Sequence, residues 1–166
     1  MSYFNSYRTF DWLPTFEWTG LVFGVADKIN LPHEDYPTRV GRTESSLLQI
    51  IEYFDPNNIP PITNDLLKFI HSKIFGDTDY RGKFRGVNVQ VGNHIPPKHE
   101  LVCKLMDQLF LLYEDKELNV DILKDWYFDF ETIHPFQDGN GRVGGIIIAS
   151  YSHLIYPDKG WMYEQA

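Results

Sequence analysis

Apolar runs in the first half of the chain are short. Proline cuts them at Leu13-Pro14, Leu31-Pro32, Tyr36-Pro37, Asp55-Pro56 and Pro60-Pro61, which predicts brief segments separated by turns. Two stretches between these breaks read as helices. Thr43 to Phe54 opens on a threonine N-cap and stops at Asp55-Pro56. Thr63 to Phe75 follows, with Leu66, Phe69, Ile70 and the Lys73-Ile74 pair predicted to trace its buried face before Gly76 ends it. After Gly82 the period changes. Val87, Val89 and Val91 alternate with Asn88 and Gln90 between glycines, the period of two expected of a short strand or hairpin. Beyond Pro96-Pro97 the helical period returns, over about Leu101 to Tyr113 and then Val120 to Thr132. The last segment, Gly141 to Ile155, is apolar nearly all round, as a helix at the centre of a bundle must be.

These elements predict a mostly α fold with one small β element set in its middle. No repeat, low-complexity tract or linker divides the 166 residues, so residues 1–166 are expected to form one domain. Aromatic residues make up 16% of the chain, enough apolar surface to offset the entropy of ordering it. Fifteen basic residues against 23 acidic ones leave a charge of −8, which opposes long-range attraction to nucleic acid or an anionic membrane. Any phosphorylated ligand must therefore be held locally, by backbone amides and one or two cations. Cys103, the single cysteine, lies in the apolar stretch Leu101 to Met106 and is expected to be a core thiol. The N-terminal residues lack the apolar stretch of a signal peptide, and Val143 to Tyr156 falls short of the roughly 20 residues a membrane helix needs. A soluble, cytoplasmic protein is expected.

Chemistry concentrates in Ile133-His-Pro-Phe-Gln-Asp-Gly-Asn-Gly-Arg142, between two predicted helices. Gly139, Asn140 and Gly141 immediately precede the apolar helix, so backbone N–H groups can converge there on an anion. Arg142, in the first turn, can add charge-assisted hydrogen bonds to a second phosphate oxygen. A cation at that end opposes the helix dipole, which makes sense if an anion is present. Asp138 beside such a pocket would repel phosphate unless a cation intervened, and magnesium commonly binds through one or two carboxylates plus substrate phosphates. His134 is the side chain of the segment able to exchange a proton near neutral pH and so to deprotonate an attacking hydroxyl. By contrast, Asp77-Thr-Asp79 and Asp138-Gly-Asn140 do not make calcium loops, because Asn88 and Ala149 stand where the bidentate glutamate belongs.

The segment resembles the signature of the Fic (filamentation induced by cAMP)/Doc family, His-x-Phe-x-(Asp/Glu)-Gly-Asn-Gly-(Arg/Lys)-x-x-Arg. Residues 82–97 are similar to that family's β-hairpin flap. The resemblance covers roughly residues 63–156 and leaves 1–60 as an N-terminal region of unassigned role. It implies a Fic-type helical bundle with a hairpin flap, and protein AMPylation: transfer of AMP from ATP to a Ser, Thr or Tyr hydroxyl of a target protein. In that scheme His134 is the general base, Asp138 binds Mg2+, and Gly139, Asn140, Gly141 and Arg142 hold the phosphates. The flap residues Val87, Asn88, Val89, Gln90 and Val91 would clamp an extended target segment by strand addition. A toxin-like or signalling role is implied by the same resemblance.

One position departs from the signature. Gly145 replaces its second arginine, which removes an anion contact that glycine cannot supply and leaves two alternatives to AMP transfer. One is kinase-like transfer of another phosphate-containing group; the other is a nucleotide- or partner-binding module with weak catalysis. The family's self-inhibitory pattern, (Ser/Thr)-x-x-x-Glu-(Gly/Asn), is not found, which leaves two alternatives: regulation by a separate, antitoxin-like partner, or a form that is not regulated in that way. Glu44 and Glu52 are read as solvated helix faces. His94 and His99 are read as loop histidines, not as a metal pair with His134. Trp12, Trp18, Trp126 and Trp161 are expected in the core or at an interface. No function is attached to Tyr127.

Overall fold

The computed structural model describes residues 54–155 apart from Pro56. The predicted helix over Thr43 to Phe54, and Trp12, Trp18 and Trp161, lie outside the described residues. Helix α1 spans Asn64–Ile74, α2 Val102–Tyr113, α3 Val120–Ile133 and α4 Asn140–Ile155, and a 3-10 turn at His99–Leu101 leads into α2. None of them is long and apolar enough to cross a membrane.

Local chemistry starts these helices where the sequence places them. The Thr63 hydroxyl accepts the Leu66 N–H at 3.1 Å to cap α1, and the Asn119 side chain accepts the Ile122 N–H at 3.0 Å to cap α3. Each such cap contributes about 1 kcal/mol. The buried face of α1 includes Ile70 and Ile74 as expected, but Leu67 and His71 join them, while Phe69 remains 49% exposed. Both sets have helical spacing. Packing selected the set that carries a histidine, and that histidine belongs to the site described below.

Helix α4 packs against α1 and α3, and α2 packs against the same two helices. Val143, Ile146, Ile147, Ile148 and Tyr151 are wholly buried, each worth roughly 1.5–3 kcal/mol of transfer free energy. Gly144 lets α3 approach closely, since a methyl group there would meet the Tyr127 ring at 3.0 Å and the Phe130 ring at 3.3 Å. Trp126 is buried and stacks on Phe130, and the Tyr113 hydroxyl donates to the buried Asp129 carboxylate at 2.7 Å, joining α2 to α3.

Two expectations fail. Cys103 is exposed, because the inward face of α2 is Val102, Leu105, Met106, Leu109 and Tyr113, and Cys103 stands one step off it. The valine alternation does not form a hairpin ladder either. Among the described residues the one β pairing is an isolated bridge between Val91 and His94, around the left-handed Gly92. Val87 is exposed and no sheet among the described residues covers the alternating face; a lone two-stranded ribbon is marginal in water. Side chains bind this segment in place of a partner strand: Asn88 Oδ1 accepts the His99 N–H at 2.9 Å, and Arg85 donates to the Val87 carbonyl at 2.9 Å.

Candidate active site

Helix α3 ends at His134, which adopts φ 52° and is the one non-glycine residue with positive φ among those described. An L-residue in this region costs on the order of 1–2 kcal/mol, so something must hold it there. Its own N–H still closes the helix onto the Phe130 carbonyl at 2.9 Å. Its carbonyl accepts the Arg85 Nε–H at 2.7 Å. The same guanidinium reaches the carbonyls of Ile133, Val87 and Pro97, and the Arg85 main-chain N–H donates to the Pro135 carbonyl at 2.7 Å. Arg85 is only 4% exposed. One buried cation therefore fastens both ends of the 87–97 segment to the end of α3.

From His134 the chain turns sharply into α4. Asn140 closes the turn: its Oδ1 accepts the Phe136 N–H and its Nδ2 donates to the Phe136 carbonyl, both at 2.8 Å. Gly139 has φ +86°, and a methyl group there would lie 2.2 Å from the Phe75 ring, so only glycine fits. Gly141, by contrast, has no atom within 4 Å of where its methyl group would be. The first bond of α4 runs from the Val143 N–H to the Gly139 carbonyl. The N–H groups of its first turn thus have no partner within the helix, and no acidic residue stands in that turn to complement the dipole.

Asp138 is exposed at the mouth of the turn. Its Oδ1 accepts the Gly139 N–H at 2.8 Å, and Oδ2 has only a long 3.5 Å contact from the Tyr80 hydroxyl. Behind it lies His71, sandwiched between the rings of Phe75 and Phe136 at centroid distances of 4.7 and 4.2 Å. Gly82 donates its N–H to His71 Nδ1 at 2.9 Å, which puts the imidazole proton on Nε2, 3.0 Å from the Asp138 carbonyl. Burial holds His71 below the ordinary histidine range and so keeps it neutral.

Phe75, His134, Gln137, Asp138, Gly139, Asn140, Gly141 and Arg142 line one cleft of about 380 Å³. Every residue expected from the 134–142 segment to carry chemistry is brought together there. The His134 ring is pushed down to about 4, first by burial, then by the positive charges of Arg85 and His94, against a smaller upward pull from Asp138. It is therefore a free base throughout the neutral range. His94 is buried with Nε2 3.1 Å from the Thr132 carbonyl, and the His99 ring lies 3.1 Å from Asn88 Oδ1. Both histidines thus have structural partners of their own. Gly145 is buried within α4.

Two residues of the site escaped the sequence reading. His71 was detectable, since it continues the Leu67, Ile70, Ile74 face at helical spacing. Arg85 gave no signal, because a buried charge and a surface charge are written identically in a sequence.

Residues 61–151, more than half of the chain, match the model of the Fic/DOC family. The chain is 31% identical over 93 residues to the protein adenylyltransferase Fic of Nematostella vectensis, covering 52% of this chain and 22% of that protein. It is 33% identical over 95 residues to the protein of the same name from Culex quinquefasciatus, covering 51% of this chain and 18% of that one. The chain thus spans about a fifth of the length of these curated relatives. The fold is similar to the crystal structure of a Fic family protein from Desulfovibrio desulfuricans G20, with a TM-score of 0.55 and 23% identity over 83% of this chain and 46% of that one.

Proposed function

Because this chain belongs to the Fic/DOC family, we propose that it is a protein adenylyltransferase, moving AMP from ATP to a Ser, Thr or Tyr hydroxyl of a target protein. The observation that carries the reading is the cleft that His134 shares with the first turn of α4, a turn in which no acidic residue stands. The hydroxyl oxygen attacks the α-phosphorus, its proton passes to His134, and the bond to the pyrophosphate oxygen breaks.

The parts divide the work. Backbone N–H groups at the start of α4 and the Arg142 guanidinium bind phosphate oxygens. Asn140 acts through its backbone, its side chain being turned back onto Phe136. Gly141 keeps the approach to those N–H groups open. Magnesium fits the donor set: Asp138 offers an exposed carboxylate with one lightly engaged oxygen. No cluster of three ligating side chains exists among the described residues, so Asp138 would hold the ion together with substrate phosphates and water. When bound it would neutralise phosphate charge. The segment Val87, Asn88, Val89, Gln90 and Val91, in which Val87, Asn88 and Gln90 are exposed, borders the His134 loop through Arg85 and would offer its backbone to a target strand.

Incubation with ATP labelled at the α- or the γ-phosphate tests the reading. Label reaching protein from the α-position only, and lost in His134→Ala, is the expected result. Label from the γ-position only would replace AMP transfer with the phosphoryl transfer that Gly145 leaves open.

A further inference from the structure

His134 and Glu131 occupy the last turn of α3, three residues apart, and both are turned inward. Glu131 is 7% exposed, although it is a carboxylic acid in a helix that packs on both α2 and α4. Its Oε1 has no hydrogen-bond partner among the described residues, and neither has His134 Nδ1. The two groups face each other, with Nδ1 3.9 Å from Glu131 Oε2. That gap is roughly 1 Å longer than a charge-assisted hydrogen bond, and a small side-chain rotation closes it. Catalytic hydrogen bonds are commonly long before substrate binds.

Two orphaned polar atoms in a packed interior are costly apart and complementary together. Among the described residues nothing structural uses the acid: no backbone cap and no ion pair with lysine or arginine is formed by it. We propose that Glu131 is the positioning residue for His134: it accepts the Nδ1–H of the imidazole, leaves the Nε2 lone pair facing the cleft, and balances the imidazolium formed when the target hydroxyl gives up its proton. The proton ends on Nε2, the alkoxide oxygen joins phosphorus, and Glu131 remains unprotonated throughout. The inference rests on His134 serving as the base. Burial raises Glu131 to about 7, so at mildly alkaline pH the carboxylate needed for this role is present. Of the groups around the pair, Arg85 and His94 disfavour a charge on His134 and Asp138 favours one, while Tyr127 lies near Glu131. Glu131 is the acid placed against the ring nitrogen itself.

The full chain, labelled with ¹⁵N-histidine, gives a readout independent of activity. At pH 8 the His134 ring, assigned by its absence from the His134→Ala spectrum, is expected as the Nδ1–H tautomer. Glu131→Gln keeps an acceptor without the charge and retains that tautomer; Glu131→Met removes both and loses it. Transfer should fall on the order of 10-fold in Glu131→Gln and 10²-fold in Glu131→Met, with KM for ATP within about twofold. The melting temperature should stay level or rise, since an isolated buried acid destabilises the fold; a merely structural glutamate would lower it. An Nε2–H tautomer in the unaltered chain overturns the proposal. So does full activity of both variants when His134→Ala is inactive. Should His134→Ala itself remain active, the transferase reading falls instead, and the tautomer alone decides whether Glu131 orients the ring.

Discussion

Arg85 donates its Nε–H to the main-chain carbonyl of His134 at 2.7 Å. The contact joins two places 49 residues apart in sequence and falls on the one non-glycine residue with left-handed backbone among those described. It gives a physical reason for the exact placement of the imidazole. A strained C-cap persists only when its surroundings over-determine it, and here one guanidinium spans the carbonyls of Ile133, His134, Val87 and Pro97.

Lysine carries the same charge but not the planar fork that reaches several carbonyls at once. Arg85→Lys is expected to cost about 2–3 kcal/mol in urea unfolding, because buried carbonyls lose their donors. Transfer activity, measured where the variant is still fully folded, should fall further than this loss of stability explains, since His134 is no longer pinned. Activity unchanged in the folded variant would separate the clamp from the chemistry.

The two glycines of the turn predict opposite phenotypes. Gly139→Ala places a methyl group against the Phe75 ring in a left-handed backbone and should destabilise the chain by about 2–4 kcal/mol. Gly141→Ala meets no protein atom and adds a better helix former, so its melting temperature should stay level or rise. Its transfer rate should nonetheless drop 10-fold or more, because the methyl group stands where phosphate must approach backbone N–H groups. Thermal melts and α-label transfer on the same preparations check both.

How far the sequence could be read follows from which interactions are local. The turn from His134 to Arg142 was legible because its glycines, its histidine and the apolar helix after it act over neighbouring residues. Helices α2, α3 and α4 begin and end within about a residue of their sequence-based bounds, since caps and hydrophobic period are local too. Val87 to Val91 misled because alternation specifies a strand only if another strand or a core accepts one face, and among the described residues the one pairing is the isolated Val91–His94 bridge. Cys103 misled because its apolar neighbours lie on a face it does not share. Arg85 and Glu131 owe their roles to burial, which depends on residues distant in the chain.

His71 joins Gly82 to the Asp138 carbonyl through the two nitrogens of one neutral ring. His71→Leu keeps the aromatic sandwich filled but leaves the part-buried Gly82 N–H and Asp138 carbonyl without the ring, a loss of about 1–3 kcal/mol. It also releases the backbone of the residue proposed to hold magnesium. KM for ATP should rise severalfold, with a higher magnesium concentration needed for half-maximal rate, while kcat changes less. An unaltered magnesium titration would confine His71 to folding.

Stability should depend on pH through groups that pull in opposite directions. Burial lowers His71, His94 and His134 below 6.5, so the unfolded chain binds more protons than the folded one as pH falls through 6.5 and below, and stability is lost on acidification. Glu131 is raised from 4.5 to about 7, so between those values the folded chain binds the extra proton; its cost is greatest above pH 7 and disappears toward 4.5. The two trends partly cancel in the unaltered protein. Glu131→Gln removes only the second, and at pH 8 the variant should be more stable by up to about 3 kcal/mol, at 1.36 kcal/mol per pKa unit. Its advantage should shrink steadily as pH drops, giving a steeper acid loss than the parent. Urea unfolding at pH 8, 6.5 and 5 measures the difference, and parallel curves for the two proteins would show that Glu131 does not titrate in this range.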